Sequence, residues 1–366
     1  MGGGGPLTPY IFCEPCAGSA AVSYGLLGCK PPISYMGSKS GYVIPIMEAL
    51  GLSRLSPPAA CVLGEPGPWA AVHAALGGAT GCSAEDVAGY LAYCVRTRLG
   101  GGGFRRAGGT GSGGLCYNTE SPAPTIDALP HPAAPIIAEI IRSWKDEEPR
   151  ALWERLKAKG WPSLLLPEGS EGRWLGPQSV EEVAGFLAAC LCSYKSDTKH
   201  GYNAGRMEHG EKPSGAHHYP VTIGGMGERA ADIQPFPLLA VWQGTAETMP
   251  LPSDLSRWVM YMDGPYHGDG SRKITGYPHG TFSREQQIAF AASCHARGAR
   301  FSISECVGLA AEMEAATGSR WWNVDISGER RGQKRTMSVQ QHEWLTMNFP
   351  PHHWPGKQEG LWKESR

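Results

Sequence analysis

The stretch Arg257-Trp258-Val259-Met260-Tyr261-Met262-Asp263-Gly264-Pro265-Tyr266 constrains this chain most. An apolar run of strand formers stops abruptly at an acid, a glycine, a proline and an aromatic. Gly-Pro cannot continue a hydrogen-bonded ladder, so the strand ends there. In a parallel α/β sheet the loops just beyond the carboxyl ends of the strands are the ones that bind ligands. A carboxylate at that place accepts a hydrogen bond from an amino group, and a tyrosine after it can stack on a flat heterocycle. Asp-Gly-Pro is also ordinary turn punctuation, so the stretch needs company before it means more.

The same grammar recurs. Tyr10–Cys13 is a short apolar run that breaks at Glu14-Pro15, followed by Ala17 to Leu27, which reads as a helix opening on Gly18. A strand, a small-residue turn and a helix start suit a nucleoside ligand, because the backbone comes close and helix N–H groups point at it. Ala60–Gly64 is a second run and ends at Glu65-Pro66. Glu65 reads as the acid after the second strand, where nucleotide-binding folds accept bonds from ribose hydroxyls; the alternative makes this second strand end the cofactor turn itself. Arg300–Ser304 ends at Glu305, and Ser283 caps a helix over Arg284 to Arg297. Trp321–Ile326 and Glu343–Phe349 read as a closing hairpin. Ile44, Met47, Ala49 and Leu50 predict the apolar face of a helix after Lys39. Residues 132–160 read as helical, and Val180 to Cys192 as a further apolar helix.

Length and charge narrow the partners. A chain of 366 residues implies one large core with an insertion. With a net charge of −1, nucleic acid would have to be met by local basic patches rather than by a global field. Three such patches stand out. Arg96, Arg98, Arg105 and Arg106 lie among glycines in a span free of acids between Asp86 and Glu120. Lys195 and Lys199 open a segment rich in Gly, Lys and His up to Tyr219. Arg330, Arg331, Lys334 and Arg335 form the densest cluster, inside the closing hairpin. Each suits phosphate contacts, and each is otherwise a solvated surface. No apolar run of about 18 residues is present for a membrane span. The opening Met1–Gly5 has neither the charged nor the apolar part of a secretory signal. Eleven scattered cysteines therefore read as reduced thiols in a cytoplasmic setting. Cys13 and Cys16, and Cys190 and Cys192, read as small apolar residues rather than redox or metal sites, and no metal is expected.

Taken together, several segments resemble the Dam-like N6-adenine DNA methyltransferases of phages and prophages. Asp263-Gly264-Pro265-Tyr266 is similar to that family's Asp/Asn-Pro-Pro-Tyr/Phe motif. Cys13–Val22, Pro31–Lys39, Phe282–Gln286, Ile303–Glu305, Arg331–Arg335 and Gln341–Thr346 add to the likeness. The middle third of the chain carries none of it. The resemblance implies an α/β, Rossmann-like, S-adenosylmethionine-dependent methyltransferase fold. In it, residues 1–85 and 236–366 would form the catalytic domain and 86–235 a helical, loop-rich target-recognition insertion. The cofactor would sit on Glu14, Pro15, Ala17, Gly18 and Ser19, with Glu65 and Asp263 beside it. The segment ending in Tyr35 and Lys39 would pack over it, Lys39 capping the methionine end. The partner would be double-stranded DNA, bound by a monomer or homodimer in the cytoplasm of a bacterial or phage-infected cell.

The implied chemistry is methyl transfer to adenine N6 of a flipped-out base. Asp263 and the carbonyl of Gly264 would orient the amine, Pro265 would close the turn, and Tyr266 would stack on the base. Three positions depart from the family: Cys16 replaces a Phe, Ala20 a Gly, and Gly264 the first Pro. The Tyr35–Lys39 segment also follows the glycine turn instead of preceding it. Glycine at 264 surrenders the rigid φ of proline. The alternatives are a weak or inactive methyltransferase-fold module that binds DNA or a partner, and a cytosine-N4 or RNA methyltransferase.

Overall fold

The computed structural model describes residues 9–33, 39–99, 133–194, 198, 200–208, 219–267, 282–329 and 342–351. Its centre is a sheet whose apolar runs are the ones picked out above: β1 (Ile11–Glu14), β2 (Ala60–Gly64), β5 (Trp258–Met262) and β6 (Arg300–Glu305). With β3 (Gly172–Trp174), β4 (Leu239–Gly244), β7 (Trp322–Asp325) and β8 (Trp344–Met347) the sheet has eight strands in the order β3-β4-β2-β1-β5-β6-β8-β7. The five from β4 to β6 are parallel, and counted along the chain they read 3-2-1-4-5, the order of a doubly wound sheet. β8 runs antiparallel between β6 and β7, so the expected closing hairpin is present and caps that edge. The protein is therefore α/β with a mostly parallel mixed sheet.

The strands are apolar on both sides because both sides are covered. Phe12, Leu63, Val241, Val259 and Tyr261 join one apolar cluster with α1 (Ala21–Leu26), α2 (Val43–Leu50) and α3 (Pro68–Gly77). The alternate residues Ile11, Val62, Met260, Met262 and Phe301 pack on the other side. There they meet α4 (Ala84–Leu99), α10 (Arg284–Ala296) and α11 (Ala310–Thr317). The middle of the chain supplies α5 (Ala133–Ser143), α6 (Pro149–Lys159), α7 (Val180–Cys192), α8 (Ala204–Met207) and α9 (Tyr219–Ala231). Ile137, Ile141, Leu187 and Met226 of α5, α7 and α9 bury in the same cluster as α1 to α3.

Several local expectations shift. α1 starts at Ala21 rather than Ala17, because Gly18 and Ala20 take the left-handed conformation (φ 50 and 49°), which cannot open a right-handed helix. The 132–160 region is two helices, since Glu148 caps a new helix that begins at Pro149. Ile44 is only half-buried; Val43 and Ile46 complete the inner face of α2. Arg96 and Arg98 sit at the end of α4 and not in a glycine loop. Neither β3 nor β4 is among the expected strands; β4 pairs parallel with β2, and β3 covers its outer edge. Burial pushes the thiols of Cys13 and Cys16 upward, so neither carries the thiolate that redox chemistry needs.

Candidate active site

β1 lies at the centre of the sheet. From it the chain steps to β2 and β4 on one side and later to β5 and β6 on the other. The carboxyl ends of β1 and β5 therefore flank a topological switch point, where a crevice forms because the connections diverge. Asp263 follows β5 directly, and Glu14 is the last residue of β1.

Strand alternation decides which side chains meet there. Tyr261 and Asp263 have the same parity on β5, so both project toward the α1–α2 side. Ser304 does the same on β6, its neighbours Phe301 and Ile303 being committed to the other cluster. β8 pairs antiparallel with β6, with Trp344 opposite Glu305, so Glu343 arrives at the carboxyl end of β6. Lys39, from the segment before α2, closes over these groups. Its Nζ lies 2.9 Å from Asp263 Oδ1, 3.6 Å from Glu343 Oε1 and 4.4 Å from the centroid of the Tyr266 ring. Lys39 is 6% exposed, Glu343 fully buried, and Asp263 21% exposed, so of the three Asp263 is the one reachable from solvent.

Tyr266 donates its hydroxyl to Glu343 Oε1 at 2.5 Å, and Ser304 Oγ donates to the same oxygen. Glu343 Oε2 is buried with no hydrogen-bond partner among the described residues. Burial pushes the carboxyl groups of Asp263 and Glu343 upward, while the Lys39 ammonium opposes that rise. The result is one cation shared by a buried acid, Glu343, and a half-buried one, Asp263.

The rest of the turn is held from the α10 side. Glu305 accepts the His267 N–H at 2.7 Å and that of Cys306 at 2.7 Å. Gln287 donates to the carbonyl of Pro265 at 2.7 Å. Ser283 and Gln286 form a reciprocal capping box that fixes the start of α10 and hence the position of Gln287.

Beyond β1 the turn through Pro15, Ala17, Gly18 and Ser19 folds against β2. Ala17 donates its N–H to the Gly64 carbonyl at 2.8 Å. A Cβ on Gly64 would lie 2.7 Å from the Pro15 carbonyl, so only glycine allows this approach. Glu65, half-buried after β2, accepts the Gly18 N–H at 3.0 Å, and burial lifts its carboxyl to about 7. Glu14 is buried and accepts both the N–H of Ser23 at 2.9 Å and its hydroxyl; desolvation raises its carboxyl to about 8.

His73 of α3, fully buried, reaches under the turn. Its Nε2 is 2.8 Å from the Gly18 carbonyl and its Nδ1 3.1 Å from the Tyr24 hydroxyl. A carbonyl only accepts, so Nε2 carries the hydrogen and Nδ1 takes the Tyr24 proton. Desolvation lowers this imidazole to about 4, which keeps it neutral.

The sequence-derived residues Glu14, Pro15, Ala17, Gly18, Ser19, Lys39, Glu65 and Asp263 to Tyr266 thus all lie at the carboxyl ends of β1, β2 and β5. Tyr35, Arg105, Arg106, Lys195, Lys199, Arg330, Arg331, Lys334 and Arg335 lie outside the described residues. Glu343, Ser304, Glu305, Gln287, Ser23 and His73 were not singled out as site residues. Glu343 left two traces in the sequence, as an acid heading an apolar strand and as part of the Gln341–Thr346 likeness, but its place depends on β8 inserting beside β6. Protein-family models and curated proteins give no match to this chain.

Proposed function

We propose that the protein is an S-adenosylmethionine-dependent methyltransferase acting on adenine N6 in double-stranded DNA. The observation that carries the reading is the pairing of Asp263 and the left-handed Gly18 turn across the switch point between β5 and β1. The doubly wound strand order and the antiparallel closing hairpin support the Rossmann-like methyltransferase fold that the sequence likeness implies.

The donor set fits the cofactor in part. Glu65 is half-buried and offers a carboxylate to hydroxyl groups, and Gly18 and Ala20 shape a turn without bulky side chains. Glu14 already serves Ser23 from both its N–H and hydroxyl, so its part is to tie α1 to β1 beneath the turn. S-adenosylmethionine, when bound, supplies an electrophilic methyl group. An exocyclic amine is a poor nucleophile because its lone pair is delocalised into the ring. Asp263 and the Gly264 carbonyl act as two acceptors that hold the amine hydrogens and turn the lone pair outward. Methylation would oblige the amine to give up one proton, and the Asp263 carboxylate that accepts its hydrogen bond would be the group to take it. Lys39, 2.9 Å away, opposes the rise that burial imposes on that carboxyl. Tyr266 has its hydroxyl fixed on Glu343, which locks the ring that would stack on a flipped-out base. Arg96 and Arg98 and the other basic patches would bind phosphates.

The test is transfer of labelled methyl to unmethylated duplex DNA and, separately, to RNA, each then digested to nucleosides. Label in N6-methyladenine supports the reading. Label in N4-methylcytosine or RNA keeps the mechanism and changes the target, and no label on any nucleic acid favours a binding module.

A further inference from the structure

The turn that carries Asp263 is gripped from the side opposite Lys39. Gln287, 2% exposed on α10, directs its amide nitrogen at the Pro265 carbonyl (2.7 Å) and the Phe282 carbonyl (3.3 Å). His267 Nε2 shares the Phe282 carbonyl at 2.8 Å. The two carbonyls are acceptors for the amide hydrogens and His267 Nε2 lies 3.1 Å from the same nitrogen, so the side chain is held on three sides.

The pinned amide also fills the space beside Gly264. A Cβ there would lie 2.9 Å from Gln287 Nε2, 3.0 Å from its Cδ and 3.1 Å from its Oε1. Gly264 is not among the residues with positive φ. Its lack of a side chain is therefore a matter of volume, and backbone freedom does not require it. Glycine supplies no stiffness of its own, so the rigidity of this turn has to come from outside it.

We propose that Gln287 is the positioning residue of the Asp263–Tyr266 turn. It holds the turn's Pro265 carbonyl by a side-chain hydrogen bond and ties it to the Phe282 carbonyl before α10, and the same amide selects glycine at 264. The catalytic half of this inference rests on the methyl-transfer reading above; the steric pairing does not. A residue that only stabilises α10 would change melting and leave turnover alone. A positioning residue changes kcat, because a misplaced acceptor matters most in the transition state.

The experiment combines kinetics with a double-mutant cycle on the full chain. Gln287→Ala should lower kcat by roughly 10- to 100-fold with KM for duplex DNA nearly unchanged. The near-isosteric Gln287→Glu replaces donors by acceptors facing two carbonyls. It should be as impaired as Gln287→Ala, since a carboxylate beside His267 Nε2 can donate to neither carbonyl. Independently of turnover, Gly264→Ala should lower the melting temperature sharply in the wild-type background and little in the Gln287→Ala background. Unchanged kcat in folded Gln287→Ala would overturn the positioning role, and additive melting shifts would overturn the pairing with Gly264. A wild-type protein that transfers no methyl group would sink the functional reading, and the melting cycle would then decide the pairing alone.

Discussion

Replacing Lys39 by Met tests the electrostatic core of the site. The ammonium lies 2.9 Å from Asp263 and 3.6 Å from Glu343. At an effective dielectric of about 20, Coulomb's law gives gross attractions of about 6 and about 5 kcal/mol for these separations. Most of that is consumed by desolvating three charges, and removing one partner of a buried pair typically costs about 3–5 kcal/mol net. Methionine keeps the length of the side chain, so the loss is one of charge.

The sign follows from the acids. Without Lys39 both carboxyls rise further above their ordinary values of 3.8 and 4.5, so the variant keeps its stability below those values and loses it as pH rises. Urea unfolding at a series of pH values should therefore show Lys39→Met less stable than wild type by about 3–5 kcal/mol at pH 8, with the gap closing toward pH 4. Adding Glu343→Gln should return part of the loss, since one buried carboxylate then goes. A deficit below about 1 kcal/mol that is the same at every pH would refute the reasoning, because it is what a surface lysine would give.

Two further outcomes follow from the glycine turn. His73 is held neutral at about 4, below the imidazole's ordinary 6.5, so its contribution is complete above pH 6.5 and is lost as pH falls toward 4. That limb should amount to up to about 3 kcal/mol in acid unfolding, and should vanish in His73→Leu. Ala20 is buried with φ 49°, a conformation costing about 1–2 kcal/mol for a residue with a Cβ. Calorimetry should find Ala20→Gly within about 1 kcal/mol of wild type, relief of strain offsetting chain entropy. Ala20→Val should be far worse, since a branched side chain tolerates that conformation least.

Strands β1, β2, β5 and β6 were legible because each is an apolar run cut off by an acid with proline or glycine nearby, as at Glu14-Pro15, Glu65-Pro66 and Asp263-Gly264-Pro265; β4 was not, because Leu239–Gly244 ends on Gln243-Gly244 with no acid to mark the stop. The start of α10 was legible through Ser283, whose hydroxyl suits the unpaired N–H groups of a helix N-terminus. The start of α1 was not. Nothing local marks Ala20 as left-handed, and alanine on its own argues for helix; the constraint comes from the turn folding onto Gly64. The break before α6 was written in Glu148-Pro149, a capping acid followed by a proline at the first helical position, but the apolar spacing ran across it. Glu343 and Gln287 were illegible as site residues for a topological reason. One reaches the site through an antiparallel strand placed beside β6, the other through the docking of α10, and neither relation is encoded near Asp263.

The most direct test of the central claim is single-turnover methyl transfer to unmethylated duplex DNA by the wild type and by Asp263→Ala, both verified as folded, with nucleosides identified after digestion. The account predicts label in N6-methyladenine with the wild type and a loss of at least about 100-fold in the variant. Equal labelling by the two proteins would contradict it, because the amine would then be oriented by something other than the carboxylate after β5.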